Sequence, residues 1–323
     1  MQQGSSGRSP ALVVASYLVV YLVWGSTYFF IKRSVATIPT FAVLAIRWTV
    51  GGVLLLVIAA FTGRLRRMPG IREIASAAAL GTLLLVLGNG LITEAEKRLD
   101  SYIAGLLASS SPIIVALFDR LLLRLRLTLV RVLSVLVGFA GVVLLLYDGR
   151  SLASSLDAPV LLCLAGVLSW GFATSLGHRF PVHSDNTVNS GVQMLFTGLV
   201  SLAITLLAGH RPAGIAAAVS GESLFGVAYL AVVGSLAFSA YTYLVKHEPA
   251  ERVVSYALVN PLIALALGLV IGNETPKPLI AVGSPLILAG LAFMLYGERL
   301  SEWLRRRRAP NTTGSGGGPG TAA

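Results

Sequence analysis

The chain has 323 residues, 55% of them hydrophobic and only 12% charged, with a mean hydropathy of +0.80. Apolar surface on that scale cannot be hidden in a soluble core, which excludes a soluble globular protein and requires lipid as the solvent. The formal charge of +11 would suit nucleic acid in a soluble protein, but here the basic residues fall in short turns between apolar runs, a pattern of membrane topology.

Ten apolar runs approach or reach the roughly 20 residues that a helix needs to cross the hydrocarbon core. The first, 11–31, follows Arg8 as in a signal peptide, yet continues without a small-residue cleavage pattern through Trp24, Gly25, Ser26, Thr27 and Tyr28, so it reads as a retained helix. Runs at 40–62, 74–93, 102–123 and 129–147 complete a first set of five; 158–178, 187–208, 224–245, 253–271 and 279–296 form a second. The connections are short, so consecutive helices are antiparallel neighbours. The expected class is an all-α integral membrane protein with ten transmembrane helices. The expected parts are a tail (1–10), a first unit (11–147), a linker (148–157), a second unit (158–296) and a basic, disordered tail (297–323). Cys163, the only cysteine, lies in an apolar run and reads as a packing residue; one cysteine excludes an intrachain disulfide or a cysteine-based metal site.

With ten spans both termini lie on one side. That side carries 17 Lys and Arg residues against 7 on the other, with Arg47 inside a span, so a multi-pass protein of the cell inner (plasma) membrane with both termini cytoplasmic is expected. The basic run 305–308 serves the same retention, with anionic lipid headgroups as a further partner.

The two sets of five are related in sequence. A shift of 146 residues brings Trp24 and Gly25 onto Trp170 and Gly171, Gly52 onto Gly198, and Gly88 onto Gly234. A shift of 149 then brings Pro112 onto Pro261, Gly141 onto Gly290 and Tyr147 onto Tyr296, with one three-residue gap between the two registers. Five is odd, so the second unit inserts upside down relative to the first, giving two inverted five-helix repeats about an axis in the membrane plane. Such a pair encloses a central cavity with two equivalent exits, the architecture of carriers.

Ionisable groups inside a span cost about 2.5 to 3.5 kcal/mol at its centre on insertion scales, so those that remain are functional candidates. Arg47 lies seven residues into the second helix; it either snorkels to the outer headgroups or pairs with Glu94 or Glu96 at the end of the third. Glu94 and Arg98 are spaced i,i+4 and can satisfy each other. Among uncharged polar residues in apolar helices, Asn89 sits between Gly88 and Gly90, where irregular backbone lines a cavity. Ser26, Ser111, Gln193, Ser235, Tyr241 and Asn260 are further cavity candidates, with helix-to-helix hydrogen bonding the competing role for Ser and Gln. Trp24 and Trp170 suit a cavity wall and equally a contact between halves. Pro112 and Pro261 release the carbonyls of Ala108 and Ala257; these kinks shape the cavity, the freed carbonyls being met by Ser110 and Ser111 or by substrate.

The stretches WGSTYFFIK (24–32), AIRWTVGGVLLL (45–56), GNGLITEAEK (88–97), LSWGFATSLGHR (168–179) and SYALVNPLIALALG (255–268) resemble the EamA-type branch of the drug/metabolite transporter superfamily, across both halves. The resemblance implies the ten-helix carrier and export of small metabolites, amino-acid-like or amphipathic and toxic, without naming the cargo. Glu96 matches the family's GNG-x-x-T-x-A-E pattern and is the preferred coupling site. Many members end the fourth and ninth helices in Gly-Glu; here Gly272, Asn273 and Glu274 end the ninth and Arg124 ends the fourth, so Glu274 reads as a carboxylate near the start of the last helix. No P-loop, HExxH or GxSxG occurs, and His178, His183, His210 and His247 lie at span ends or in loops, which ranks an intramembrane enzyme second. The expectation is no catalytic residue, no metal and no cofactor. The expected partners are the bilayer and a small-molecule substrate, with no nucleic acid; a homodimer stays open.

Overall fold

The computed structural model describes residues 10–124, 128–147, 156–177, 179–248, 250–253 and 255–308. The expected tails at 1–9 and 309–323, most of the linker, Arg126 and His178 lie outside these residues. The described chain is helical throughout. Its ten main helices are α1 (Pro10–Ser34), α2 (Thr40–Phe61), α3 (Ile71–Ala95), α4 (Ser101–Leu122), α5 (Leu129–Leu146), α6 (Ala158–Gly177), α7 (Asn186–Leu207), α8 (Gly221–His247), α9 (Tyr256–Val270) and α10 (Ile280–Arg308). Nine hold stretches long and apolar enough to cross a membrane, and α9 is a shorter apolar helix. Helices alternate in direction. α1 starts and α10 ends at one end of the bundle, here the terminal end; α6 starts at the opposite, far end, inverted relative to α1.

Packing repeats the sequence symmetry residue by residue. The closest helix pairs are α2 with α7 and α5 with α10, each helix against its own counterpart. A Cβ on Gly52 would lie 2.6 Å from the backbone nitrogen of Leu195, and one on Gly198 would lie 2.6 Å from that of Thr49. Gly198 and Leu195 are Gly52 and Thr49 shifted by 146, so this is one contact made twice. Across α5 and α10, a Cβ on Gly141 would lie 2.5 Å from the nitrogen of Ile287 and one on Gly290 2.5 Å from that of Gly138, now at a shift of 149. Gly25 abuts Ile263 and Gly171 abuts Ile114 in the same reciprocal way. Such reciprocity requires a two-fold axis between halves, and missing side chains let the backbones approach where no hydrophobic driving force holds helices together in lipid.

The caps are duplicated too. Gly63 (φ +67°) and Gly209 (φ +83°), 146 apart, end α2 and α7 in the left-handed conformation that glycine adopts freely. The next amides close the motif back onto the helix: Arg64 donates to the Ala59 carbonyl at 2.8 Å and His210 to that of Thr205 at 3.1 Å. Arg124 and Asn273, 149 apart, take positive φ after α4 and α9.

Two departures from the sequence expectation stand out. α10 runs to Arg308, past the expected end of the last span at 296 and through the basic first part of the expected tail; Glu, Arg and Leu are good helix formers. Within α3, Thr82–Asn89 is π-helical while the corresponding stretch of α8 is regular. The widened turn leaves the Leu83 carbonyl to accept from the Ser169 hydroxyl of α6 at 2.8 Å.

Candidate functional site

A cavity of about 710 Å³ lies between the two repeats, a size that suits a small organic ligand. Among the residues proposed from sequence, Trp24, Asn89 and Ser111 line it from the first repeat, and Trp170, Gln193, Ser235, Tyr241 and Asn260 from the second. Most are repeat mates: Trp24 with Trp170, Asn89 with Ser235, Ser111 with Asn260, and the lining Arg47 with Gln193. The cavity therefore sits on the two-fold axis. Ser26 does not line it; its hydroxyl donates to the Val23 carbonyl at 2.9 Å and meets the Tyr229 hydroxyl at 2.8 Å, tying α1 to α8.

One wall is aromatic. The Trp24 ring lies 5.0 Å from that of Tyr241 and 5.1 Å from that of Tyr256, with Phe238 beside them. Tilted and edge-on arrangements at such distances are favourable, so these rings act as one rigid surface that also joins α1, α8 and α9. Trp24 thus both lines the cavity and packs against the second half. On another wall the Arg47 guanidinium stacks 4.3 Å above the Trp48 ring centroid. Pro112 and Pro261 both line the cavity; the Ala108 carbonyl freed by Pro112 accepts from the Ser111 hydroxyl, while Ala257 itself lines the cavity.

The acidic candidates lie elsewhere. Glu94 accepts from Thr40 and pairs with Lys97 at 2.7 Å, so the i,i+4 partner expected in Arg98 is replaced by the i,i+3 neighbour. Glu96 is fully buried outside the cavity lining, within electrostatic reach of Lys32, Glu274 and Arg47, and neither of its carboxylate oxygens has a side-chain hydrogen-bond partner. No ion pair joins Arg47 to Glu94 or Glu96 among the described residues. Glu274 caps α4 rather than α10: Oε1 accepts from the Ser101 amide at 2.9 Å and Oε2 from the Tyr102 amide at 3.3 Å. Lys32 bridges it, at 3.2 Å, to Asp100 at 2.8 Å, and the Tyr102 hydroxyl donates to the Thr275 carbonyl at 3.0 Å. Helix-end electrostatics does hold this carboxylate, but at the helix that packs against α9.

The two ends of the cavity differ. At the far end, below the Lys32–Asp100–Glu274 cluster, Tyr102, Ile103, Leu106 and Leu107 of α4 pack in a buried core with Leu145, Cys163 and Ile287. At the terminal end the lining continues to Asp119, Arg131, Ser190 and Leu295. The glycine contacts carry the same difference: Gly166 on α6 would place a Cβ 2.6 Å from the Gly88 carbonyl, whereas Gly234, the mate of Gly88, meets only the Tyr229 carbonyl at 3.9 Å and lines the cavity.

Sequence reasoning missed Tyr28, Trp48, Asp119, Thr174, Ser190 and Tyr256. Thr174 was within reach, since it is the repeat mate of Tyr28. Among the described residues no cluster of His, Cys, Asp and Glu could hold a metal ion.

The sequence matches the EamA-like transporter family over residues 11–147 and 158–296. It is 30% identical over 283 residues to the uncharacterized inner membrane transporter YedA of Escherichia coli K12, covering 87% of this chain and 90% of that one. An uncharacterized transporter of Archaeoglobus fulgidus is 23% identical over 83% of this chain and 93% of its own. A solved crystal structure superposes with a TM-score of 0.59 at 21% identity, over 93% of this chain and 100% of that one, a likeness of fold. With a family match across both repeats and a relative of nearly equal length, the chain is a membrane transporter and belongs to the EamA-like transporter family.

Proposed function

We propose that the protein is a secondary carrier that exports small amphipathic or amino-acid-like metabolites across the bacterial inner membrane by alternating access, with both termini in the cytoplasm. The observation that carries this reading is the cavity on the two-fold axis, lined by repeat mates and reaching one end of the bundle while a charged cluster and a packed core close the other. With the termini cytoplasmic by the distribution of Lys and Arg, that conformation receives cargo from the inside. Inverted repeats make the opposite conformation available through a small rocking of the halves, exchanging the tight Gly88–Gly166 contact for its counterpart. The relatives' names as transporters favour this over catalysis. Glu96 is the proposed coupling group, because a fully buried carboxylate without a partner in a membrane protein marks an ion pathway.

Purified protein in proteoliposomes should give saturable, protein-dependent flux of a cytoplasmic metabolite. Glu96→Gln should leave downhill exchange intact while abolishing the response to an imposed pH gradient. Absence of flux across a broad metabolite mixture would remove the carrier reading; full pH-driven export by Glu96→Gln would remove Glu96 as the coupling group.

A further inference from the structure

We infer that the cavity recognises an organic monoanion, a carboxylate on an apolar or aromatic body, with Arg47 as its anchor; the inference rests on the carrier reading above and names the substrate class. The charged residues lining the cavity are Arg47, Asp119 and Arg131. Asp119 and Arg131, of opposite charge, line its terminal end, so Arg47 is the charged side chain of the deep part among the described residues. Arg47 is more than nine-tenths buried, its Nη1 has no hydrogen-bond partner, and among the described residues it forms no ion pair, Glu96 acting on it only electrostatically from outside the lining. The neighbouring Trp48 Nε1 is a second buried donor without a partner. A buried guanidinium supported by one ring face and one adjacent N–H presents donors in a planar fork, the arrangement that matches a carboxylate. A single cation in the lining suits a single negative charge, and a cationic ligand would meet repulsion from it in a site with little water. The Trp24, Phe238, Tyr241 and Tyr256 wall supplies the apolar surface for the rest of the ligand. At the same position of the second repeat stands Gln193, a neutral side chain, so the charge belongs to one half and orients the ligand on an otherwise two-fold site.

The test uses three near-isosteric probes: 3-phenylpropionate, 3-phenylpropionamide and 3-phenylpropylamine. Binding to the full-length protein in nanodiscs is read by quenching of tryptophan fluorescence, since Trp24, Trp48 and Trp170 line the cavity. The carboxylate should bind about tenfold or more tightly than the amide and the amine. Arg47→Gln, which places at 47 the residue its repeat mate carries, should erase that preference and leave residual binding of all three; Arg47→Lys should keep the preference in weakened form. Equal or tighter binding of the amine, retention of the preference by a folded Arg47→Gln variant, or no carboxylate binding by the folded protein would overturn the inference. Carboxylate binding without flux in proteoliposomes would instead leave the anion site standing and sink the carrier reading.

Discussion

Single residues set how closely the halves approach, and this is where the structure makes its sharpest energetic claim. A methyl group on Gly52 would collide with the backbone of Leu195, which no side-chain movement can relieve, whereas one on Gly214 meets nothing within 4 Å. Gly52→Ala should therefore cost on the order of 1 to 3 kcal/mol, and Gly198→Ala a similar amount, while Gly214→Ala stays near neutral. Thermal denaturation in detergent orders the three; equal melting temperatures would contradict the reciprocal contact. Much at this scale was legible in the sequence, because Gly, Pro and Trp are scarce enough that their matched spacing marks equivalent backbone positions. Partnerships were not. Glu94 with Lys97 instead of Arg98 and Arg47 on Trp48 instead of a glutamate depend on side-chain direction, and Glu274 on α4 instead of α10 depends on helices far apart in the chain.

At the scale of elements, the span count and order followed from hydropathy, since every backbone polar group must be satisfied within the membrane and only helices do that in segments of this length. Local irregularities were hidden. The π-helical Thr82–Asn89 segment has an ordinary apolar composition, and its carbonyl partner, Ser169, comes from another repeat. The closed far end is likewise an assembly of elements, in which Glu274 joins the α9–α10 loop to the first turn of α4 through two amides. A hydrogen bond to a charged group contributes about 1.5 to 3 kcal/mol. Glu274→Gln should accordingly raise hydrogen exchange at the Ser101 and Tyr102 amides by about tenfold or more, with amides at the terminal end of α4 unchanged. Unaltered protection at those two positions would show that the cluster does not hold this end shut.

For the whole molecule, the inverted repeat was readable as a pattern before any coordinates, since two sets of five spans in matched order admit one relative orientation. The conformation was not, because both states of a two-fold carrier share one sequence and differ in which of two equivalent contacts is made. Gly88 packs against Gly166 while its mate Gly234 is left open, the asymmetry on which the proposed alternation rests. The central claim is that one cavity serves both sides of the membrane. The most direct measurement is the reaction of Ser235→Cys, in a Cys163→Ser background, with an impermeant thiol reagent in inside-out and right-side-out vesicles. The account predicts reaction from the cytoplasmic face with Glu274 intact and additional reaction from the outer face once Glu274→Gln releases the far end. Reaction confined to one face in both backgrounds would contradict it.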